Sequence, residues 1–490
     1  MNSNASILMI GMPLALSPLV YLAGRIGIRL GRPAYGARWL ALLAFAALWA
    51  LFIALITDVN AARNLLLGTV GFEIDGISLL VIVAVLTLGS AATIVSTAYI
   101  RDAAGEEKYY AALIAMTGAM IGLACSRDLF NLWVWFEVMT VASYFLVMFH
   151  RDGALEAGVK YLIQSAAGSV LILLGIALVL AQTGTLELGE IAAAATSSFI
   201  LLGAGGLMLV GFGVKIALVP MHTWLPDAHA QAPSTISALL SGVVIEVALV
   251  ALLRVLIALA GITPAWGTLL LAFGALNIVA GNLLALRQDQ IKRMLAFSSL
   301  AHVGYMLLGL GIALTTGDPA GAQGGFFHLL THALMKGLAF LAVGALMTGM
   351  GVHVLTRADL NGAGRRFPLT ALLFTTALIS LGGLPPLAGF MSKWQIFVAG
   401  FAAGDALLAL LVLLGAVMSL LSLGYYMPLV NALYREQESD AARQARPLPL
   451  AMTIPLVLLA LALVILGLFP DLVTSLTAPA ADALLAGLIR

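Results

Sequence analysis

Residues 211–233 read GFGVKIALVPMHTWLPDAHAQAP, and residues 380–397 read SLGGLPPLAGFMSKWQIF. Each is an apolar run interrupted beside a lysine: Lys215 precedes Pro220, Pro226 and Pro233, and Lys393 follows Gly382, Gly383, Pro385, Pro386 and Gly389. Proline lacks the backbone donor that a helix interior needs and clashes with the preceding turn, so both stretches predict a broken helix. In a bilayer the backbone groups freed by a break are tolerated only where protein or water satisfies them. Breaks in matching places therefore point to two inverted repeats around a transport site.

The rest of the chain calls for a bilayer. Of 490 residues, 62% are hydrophobic and 10% charged, and the mean hydropathy is +1.07. No soluble core needs that much apolar side chain. A formal net charge of +1 and the lack of a large basic patch argue against a nucleic-acid partner. The single cysteine, Cys125, excludes a disulfide framework and a thiolate cluster within the chain. No GxGxxG follows a strand and no CxxCH occurs, so no cofactor, haem or metal is expected here and no redox reaction is catalysed by this chain alone. The N-terminal stretch lacks the basic region and cleavage site of a leader and reads as a first span.

Apolar runs able to cross about 30 Å of hydrocarbon fall near 5–24, 37–57, 76–99, 109–126, 129–149, 156–181, 197–219, 235–260, 264–286, 294–315, 323–348, 367–403, 405–430 and 448–469. The expected fold is an all-α membrane protein of about 14 transmembrane helices. Loop charges support this segmentation, because Lys and Arg in short loops mark the cytoplasmic side. Basic residues crowd after odd-numbered spans, as with Arg25, Arg29 and Arg32, Arg287, Lys292 and Arg293, or Arg435, Arg443 and Arg446. Loops after even-numbered spans hold only Arg63 and Arg127, with Arg490 at the end, and Arg151 follows the fifth span. Both termini are thus expected on the non-cytoplasmic side.

The broken seventh and twelfth spans each stand fourth in a five-span unit. This divides the chain into residues 1–108 (spans 1 to 3), 109–260 (first repeat), 264–430 (second, inverted repeat) and 431–490 (last span and tail). Inside the spans sit Lys160, Lys215, Arg254, Lys336, Lys393, Glu137 and Glu246. Each such charge costs roughly 2.5 to 3.5 kcal/mol at a helix centre, so a chain that keeps this many uses them, and ion movement is the first inference. Lys160 and Arg254 lie near span ends, where a long cationic side chain reaches the interface, and they read as snorkelling. Glu137, Lys215 and Glu246 are mid-span, without that escape. Glu246 reads as a counter-charge to Lys215 or Lys336. His222 and Asp227 flank the first break, either positioning it or passing protons. A dry bundle lowers a lysine's proton affinity and a nearby carboxylate restores it, so a pair such as Glu137 and Lys215 could act as a switch.

FEIDGISLL (72–80), SRDLFNLWVWFEVM (126–139), KYLIQSAAGS (160–169), the first broken stretch, RQDQIKRMLAFSSLAHVGYM (287–306), HLLTHALMKGLAFL (328–341) and GGLPPLAGFMSKW (382–394) together resemble the antiporter-type subunits shared by respiratory complex I, membrane-bound hydrogenases and Mrp-type cation/proton antiporters. DLFNLWVWFE and the lysine in the twelfth span resemble the D-type member of Mrp systems most, and are compatible with the complex I subunit that has lysine there. The resemblance implies a midplane hydrophilic axis moving protons. On it Glu137 and Lys215 match the first-half pair, and Lys336 and Lys393 match the second-half relay and exit groups. His302, His328 and His332 match polar connecting positions, and Ser298 and Ser299 beside His302 suggest held water. Glu246 stands where the family usually has lysine.

The resemblance also implies other membrane subunits as partners, in a bacterial or archaeal cell membrane, with protons or Na+ as the transported ion. The alternatives are a Na+/proton antiporter subunit, a stand-alone secondary transporter, or the pumping subunit of an NADH-quinone oxidoreductase or hydrogenase.

Overall fold

The computed structural model describes residues 2–57, 64–67, 70–149 and 154–486; Arg63, Arg151 and Arg490 lie outside them. The first long helices are α1 (Asn2–Arg29), α2 (Tyr35–Thr57), α3 (Gly76–Tyr99), α4 (Glu106–Ala124), α5 (Leu129–Val147) and α6 (Ala154–Thr183). The first break separates α7 (Phe199–Ile216) from α8 (Trp224–Gln231). Then come α9 (Ser234–Ala258), α10 (Ala265–Ala285), α11 (Ile291–Thr316) and α12 (Pro319–Met350). The second break separates α13 (Pro368–Gly382) from α14 (Ala388–Ala402), and α15 (Ala406–Leu433), α16 (Leu450–Leu468) and α17 (Asp471–Ala486) complete the chain.

Among the described residues, 12 helices are long and apolar enough to cross a membrane. Two expected spans fall outside that set for physical reasons. α4 opens on Glu106, Glu107 and Lys108, and the twelfth span is cut into two helices of 15 residues each. Fifteen residues rise about 22 Å, too little to cross alone. Two elements depart from the sequence expectation: α17 forms where a tail was expected, and a hairpin of β1 (Asn64–Leu67) and β2 (Val70–Glu73), antiparallel, precedes α3.

α9, α11 and α12 are enclosed along their length, whereas α1, α2, α15 and α16 bury only a minority of their surface. The outer helices present side chains such as Leu43, Leu413, Leu420 and Leu458 outward, as lipid contact requires. Burying them gains little between helices in lipid, so close backbone packing takes over. α10 and α11 meet through Gly274, Gly281 and Gly304, where a Cβ on Gly281 would lie 2.6 Å from the Ala301 nitrogen. The three enclosed helices carry Glu246, His302, His328, His332 and Lys336.

Candidate functional site

At the first break α7 ends on Ala217, a non-glycine residue at φ 62°. The freed backbone is satisfied by side chains from other helices. Val219 N–H donates to Asn277 Oδ1 at 2.8 Å, and the same side chain donates to the carbonyls of Ala217 and Leu300 at 3.4 Å each. Trp224 Nε1 donates to the Val214 carbonyl at 2.6 Å. This bracing leaves Lys215 fully buried in the last turn of α7. Its Nζ donates to Ser143 Oγ on α5 at 3.0 Å and to the Tyr161 hydroxyl on α6, and lies 4.4 Å from the Tyr161 ring centre.

Glu137 sits within electrostatic range of Lys215, but no direct ion pair joins them. Its Oε1 is shielded and has no hydrogen-bond partner among the described residues. The two are neighbours in one field rather than a closed pair. Asp227 bridges Lys160 at 3.4 Å and Arg293 at 2.5 Å, which makes it an anchor of α8 to α6 and α11. His222 is only partly buried and its ring approaches Phe297 at 6.3 Å.

The centre of the molecule lies on α9, α11 and α12. α9 is distorted into one π turn, Leu240–Val244, just before Glu246. Such bulges often occur at functional sites because they re-aim the following side chains. Glu246 Oε1 lies 2.7 Å from His332 Nδ1, with both side chains buried. The expectation that Glu246 faces Lys215 or Lys336 is therefore corrected: its direct partner is an imidazole. His302 Nδ1 lies 3.0 Å from His328 Nε2, and His328 Nδ1 lies 2.9 Å from Ser392 Oγ, the residue before Lys393. His302 and His332 stack with ring centres 5.1 Å apart. Hydrogen bonding of His302 is thus to His328; Ser299 instead pairs with Ser241 in the π turn at 2.6 Å. Lys336 Nζ donates to the Leu295 carbonyl at 2.7 Å and to Ser298 Oγ at 2.5 Å, and Ser298 in turn meets the Tyr426 hydroxyl.

Lys393 caps the second break directly. Its Nζ donates to the Leu381 carbonyl and to Ser419 Oγ, each at 2.9 Å, and lies 4.8 Å from the Tyr305 ring centre. Ser419 also donates to the Gly382 carbonyl at 3.2 Å. Gly383 ends α13 at φ 75°, where a Cβ would approach Lys393 Cδ at 3.1 Å.

Glu137, Lys215, Glu246, His332, His302, His328, Lys336 and Lys393 are thus spread from one break, through three enclosed helices, to the other. A family described as NADH:quinone oxidoreductase/Mrp antiporter, TM, matches residues 126–419 of this sequence, which contain all of them. The chain belongs to that family. It is 32% identical over 415 residues to NADH-quinone oxidoreductase subunit N of Desulforudis audaxviator, covering 80% of this chain and 81% of the relative. Its fold matches a chain of respiratory complex I from Thermus thermophilus with a TM-score of 0.78 at 31% identity, over 95% of this chain and 100% of that one. It matches a chain of an archaeal membrane-bound sulfane sulfur reductase with a TM-score of 0.87 at 26% identity, over 99% of both.

A second site expectation fails in this antiporter-type chain. Arg254 does not snorkel: it is buried, donating to Asp75 Oδ1 at 2.9 Å and Oδ2 at 3.1 Å and to the Ala124 carbonyl at 2.7 Å. Asp75 caps α3, so the ion pair ties α9 to the start of α3 and the end of α4. Lys160, by contrast, is half exposed beside Glu156 and Asp227, as the span-end reading expected. Sequence reading missed the hydroxyl partners Ser143, Tyr161, Ser392 and Ser419, which carry no charge to betray them. It also passed over His229, whose ring is buried against Phe340 with centres 4.9 Å apart and whose nitrogens have no hydrogen-bond partner among the described residues. Its place in HTWLPDAH was the available signal. Among the described residues no three His, Cys, Asp or Glu side chains converge to hold a metal ion; the three imidazoles at the centre stack instead.

Proposed function

We propose that this chain is a proton-translocating membrane subunit of a complex I/Mrp-type multisubunit assembly in a bacterial or archaeal cell membrane. The observation that carries the reading is the placement of one glutamate, one lysine and then a cluster of Glu, His and Lys on the three most enclosed helices, bounded by two helix breaks. Buried ionisable groups are too costly to keep in hydrocarbon without a task, and a succession of them offers stepwise proton occupancy. Lys215 rests on two hydroxyls and a ring face, and Lys393 on one hydroxyl, one backbone carbonyl and a ring face, uncharged partners that accommodate the charged and the neutral amine.

In this reading the chain crosses the membrane fourteen times, with residues 109–260 and 264–430 as inverted five-helix repeats and both termini on the non-cytoplasmic side. Its partners are other membrane subunits, which supply the driving force. The test is Glu137→Gln in the assembled complex, followed by proton uptake into inverted membrane vesicles. The variant should assemble and lose most translocation. Near-normal uptake would overturn the reading, and uptake that required Na+ would move it to cation exchange.

A further inference from the structure

The Glu246–His332 contact is closed on one side and open on both others. Oε1 meets Nδ1 at 2.7 Å, yet Glu246 Oε2 and His332 Nε2 are both shut off from the surface with no hydrogen-bond partner among the described residues. Buried polar atoms are nearly always paired, and an exception asks for an explanation. Here the exceptions come in a matched couple, one at each end of the same hydrogen bond. The π turn at Leu240–Val244 sets the carboxylate's position, and Ser241 in that turn is fixed to Ser299 on α11. The groups facing the pair are His302, stacked on His332 at 5.1 Å, His328 at 6.5 Å between ring centres, and Lys336 one turn along α12.

Resting on the functional reading above, we infer that Glu246 and His332 form a two-ended proton store at the middle of the axis, loaded at Glu246 Oε2 and unloaded at His332 Nε2. The store is electrically neutral with one proton between the inner atoms Oε1 and Nδ1 and one on Nε2. An arriving proton forms an O–H bond at Oε2, and the inner proton shifts from Oε1 to Nδ1. The Nε2–H bond then breaks and its proton leaves toward His302. One proton enters and one leaves, and the pair returns to zero charge; the starting arrangement is restored when the imidazole changes tautomer, its proton passing from Nδ1 to Nε2, and the carboxyl rotates to turn its O–H from the outer side toward Nδ1. The His302–His328–Ser392 line, at 3.0 and 2.9 Å, continues from there to the residue beside Lys393. A side chain that holds its proton at a single atom, such as lysine, has no inner bond to shift and would have to change charge at every step.

The test measures proton uptake in vesicles containing the assembled complex, with Glu137→Gln as the reference. Glu246→Gln keeps the size and an acceptor but has no proton to shift, and is expected to lower uptake about 100-fold or more, the usual worth of a positioned proton-transfer group. His332→Gln should do the same. The reciprocal double variant Glu246→His with His332→Glu rebuilds the pair in reverse, and is expected to recover transport above either single variant. Difference infrared spectra should show a protonated-carboxyl C=O band in wild type that disappears in Glu246→Gln. Wild-type uptake by Glu246→Gln while Glu137→Gln is inactive overturns the pair alone; wild-type uptake by both overturns the functional reading itself. Should Glu246→Gln fail to assemble, Glu246→Asp draws the carboxyl back by one methylene and is expected to slow uptake several-fold, and an unchanged rate overturns the proposal.

Discussion

The Lys215 ammonium and the Tyr161 ring form one unit: the hydroxyl accepts a hydrogen bond from Nζ, and the ring centre lies 4.4 Å from the same nitrogen. Tyr161 is itself stacked on Trp224, 4.1 Å away between ring centres, so the first residue of α8 holds the lysine's support in place. The break and the charge are therefore mechanically one feature.

Arginine at position 215 keeps the charge but does not release its proton near neutral pH. Lys215→Arg should assemble and lose most translocation across the whole pH range in which wild type works. Tyr161→Phe keeps the ring face and drops the hydrogen bonds to Lys215 Nζ and Ser143 Oγ, and should cost about 1–3 kcal/mol of stability with a partial loss of rate. Vesicle proton uptake at several pH values, with thermal unfolding of the purified complex, separates the two; a Lys215→Arg rate equal to wild type would falsify the switching role.

Lys393 satisfies a carbonyl of its own break, Leu381, so its charge is also a structural plug. Lys393→Arg is expected to preserve assembly while removing most transport. Ser419→Ala leaves the Gly382 carbonyl and one Lys393 donor unpaired, at about 1–3 kcal/mol for each buried group. The check is whether uptake falls in the arginine variant without a drop in melting temperature.

Asn277 carries the first break's backbone from α10. Asn277→Leu keeps the volume but strands the Val219 N–H and the Ala217 carbonyl, which should cost about 1–3 kcal/mol per group. Hydrogen exchange at residues 217–223 should accelerate; unchanged protection there would mean that the amide does not brace the break.

The Arg254–Asp75 pair makes stability depend on pH. Burial pushes the Asp75 carboxyl up, but the charge and hydrogen bonds of Arg254 outweigh it and hold the group below its ordinary value. A carboxyl depressed in the folded state stabilises fully above its unfolded pKa of about 3.9, and that contribution fades as pH falls through the lower folded value. Asp75→Ala leaves a buried guanidinium unpaired and should cost about 3–5 kcal/mol at neutral pH. Unfolding measured at pH 7 and in acid should show the variant's deficit shrinking as the wild type loses its own pair.

The loop charges predict a non-cytoplasmic C-terminus. Alkaline phosphatase fused there should be active and a green fluorescent protein fusion dark; the opposite pattern would contradict that orientation.

The sequence by itself determined the membrane setting, the order of the spans, the two breaks and the titratable residues inside the bilayer. These were legible because apolar length, proline and glycine, and charge in hydrocarbon are local properties with large energies. Lys215 and Lys393 announced themselves in this way, and so did Glu246. What only the tertiary structure decided is who meets whom. Glu246 and His332 are 86 positions apart and Arg254 and Asp75 are 179 apart, and no period along a single helix encodes such distances. Arg254 looked free to reach the interface until α3 and α4 closed around it, and Glu246 looked like a lysine's counter-ion until the π turn in α9 aimed it at α12. Helix packing chooses these partners through close glycine contacts and backbone distortions, and a buried polar group takes whichever partner that packing brings within hydrogen-bond distance.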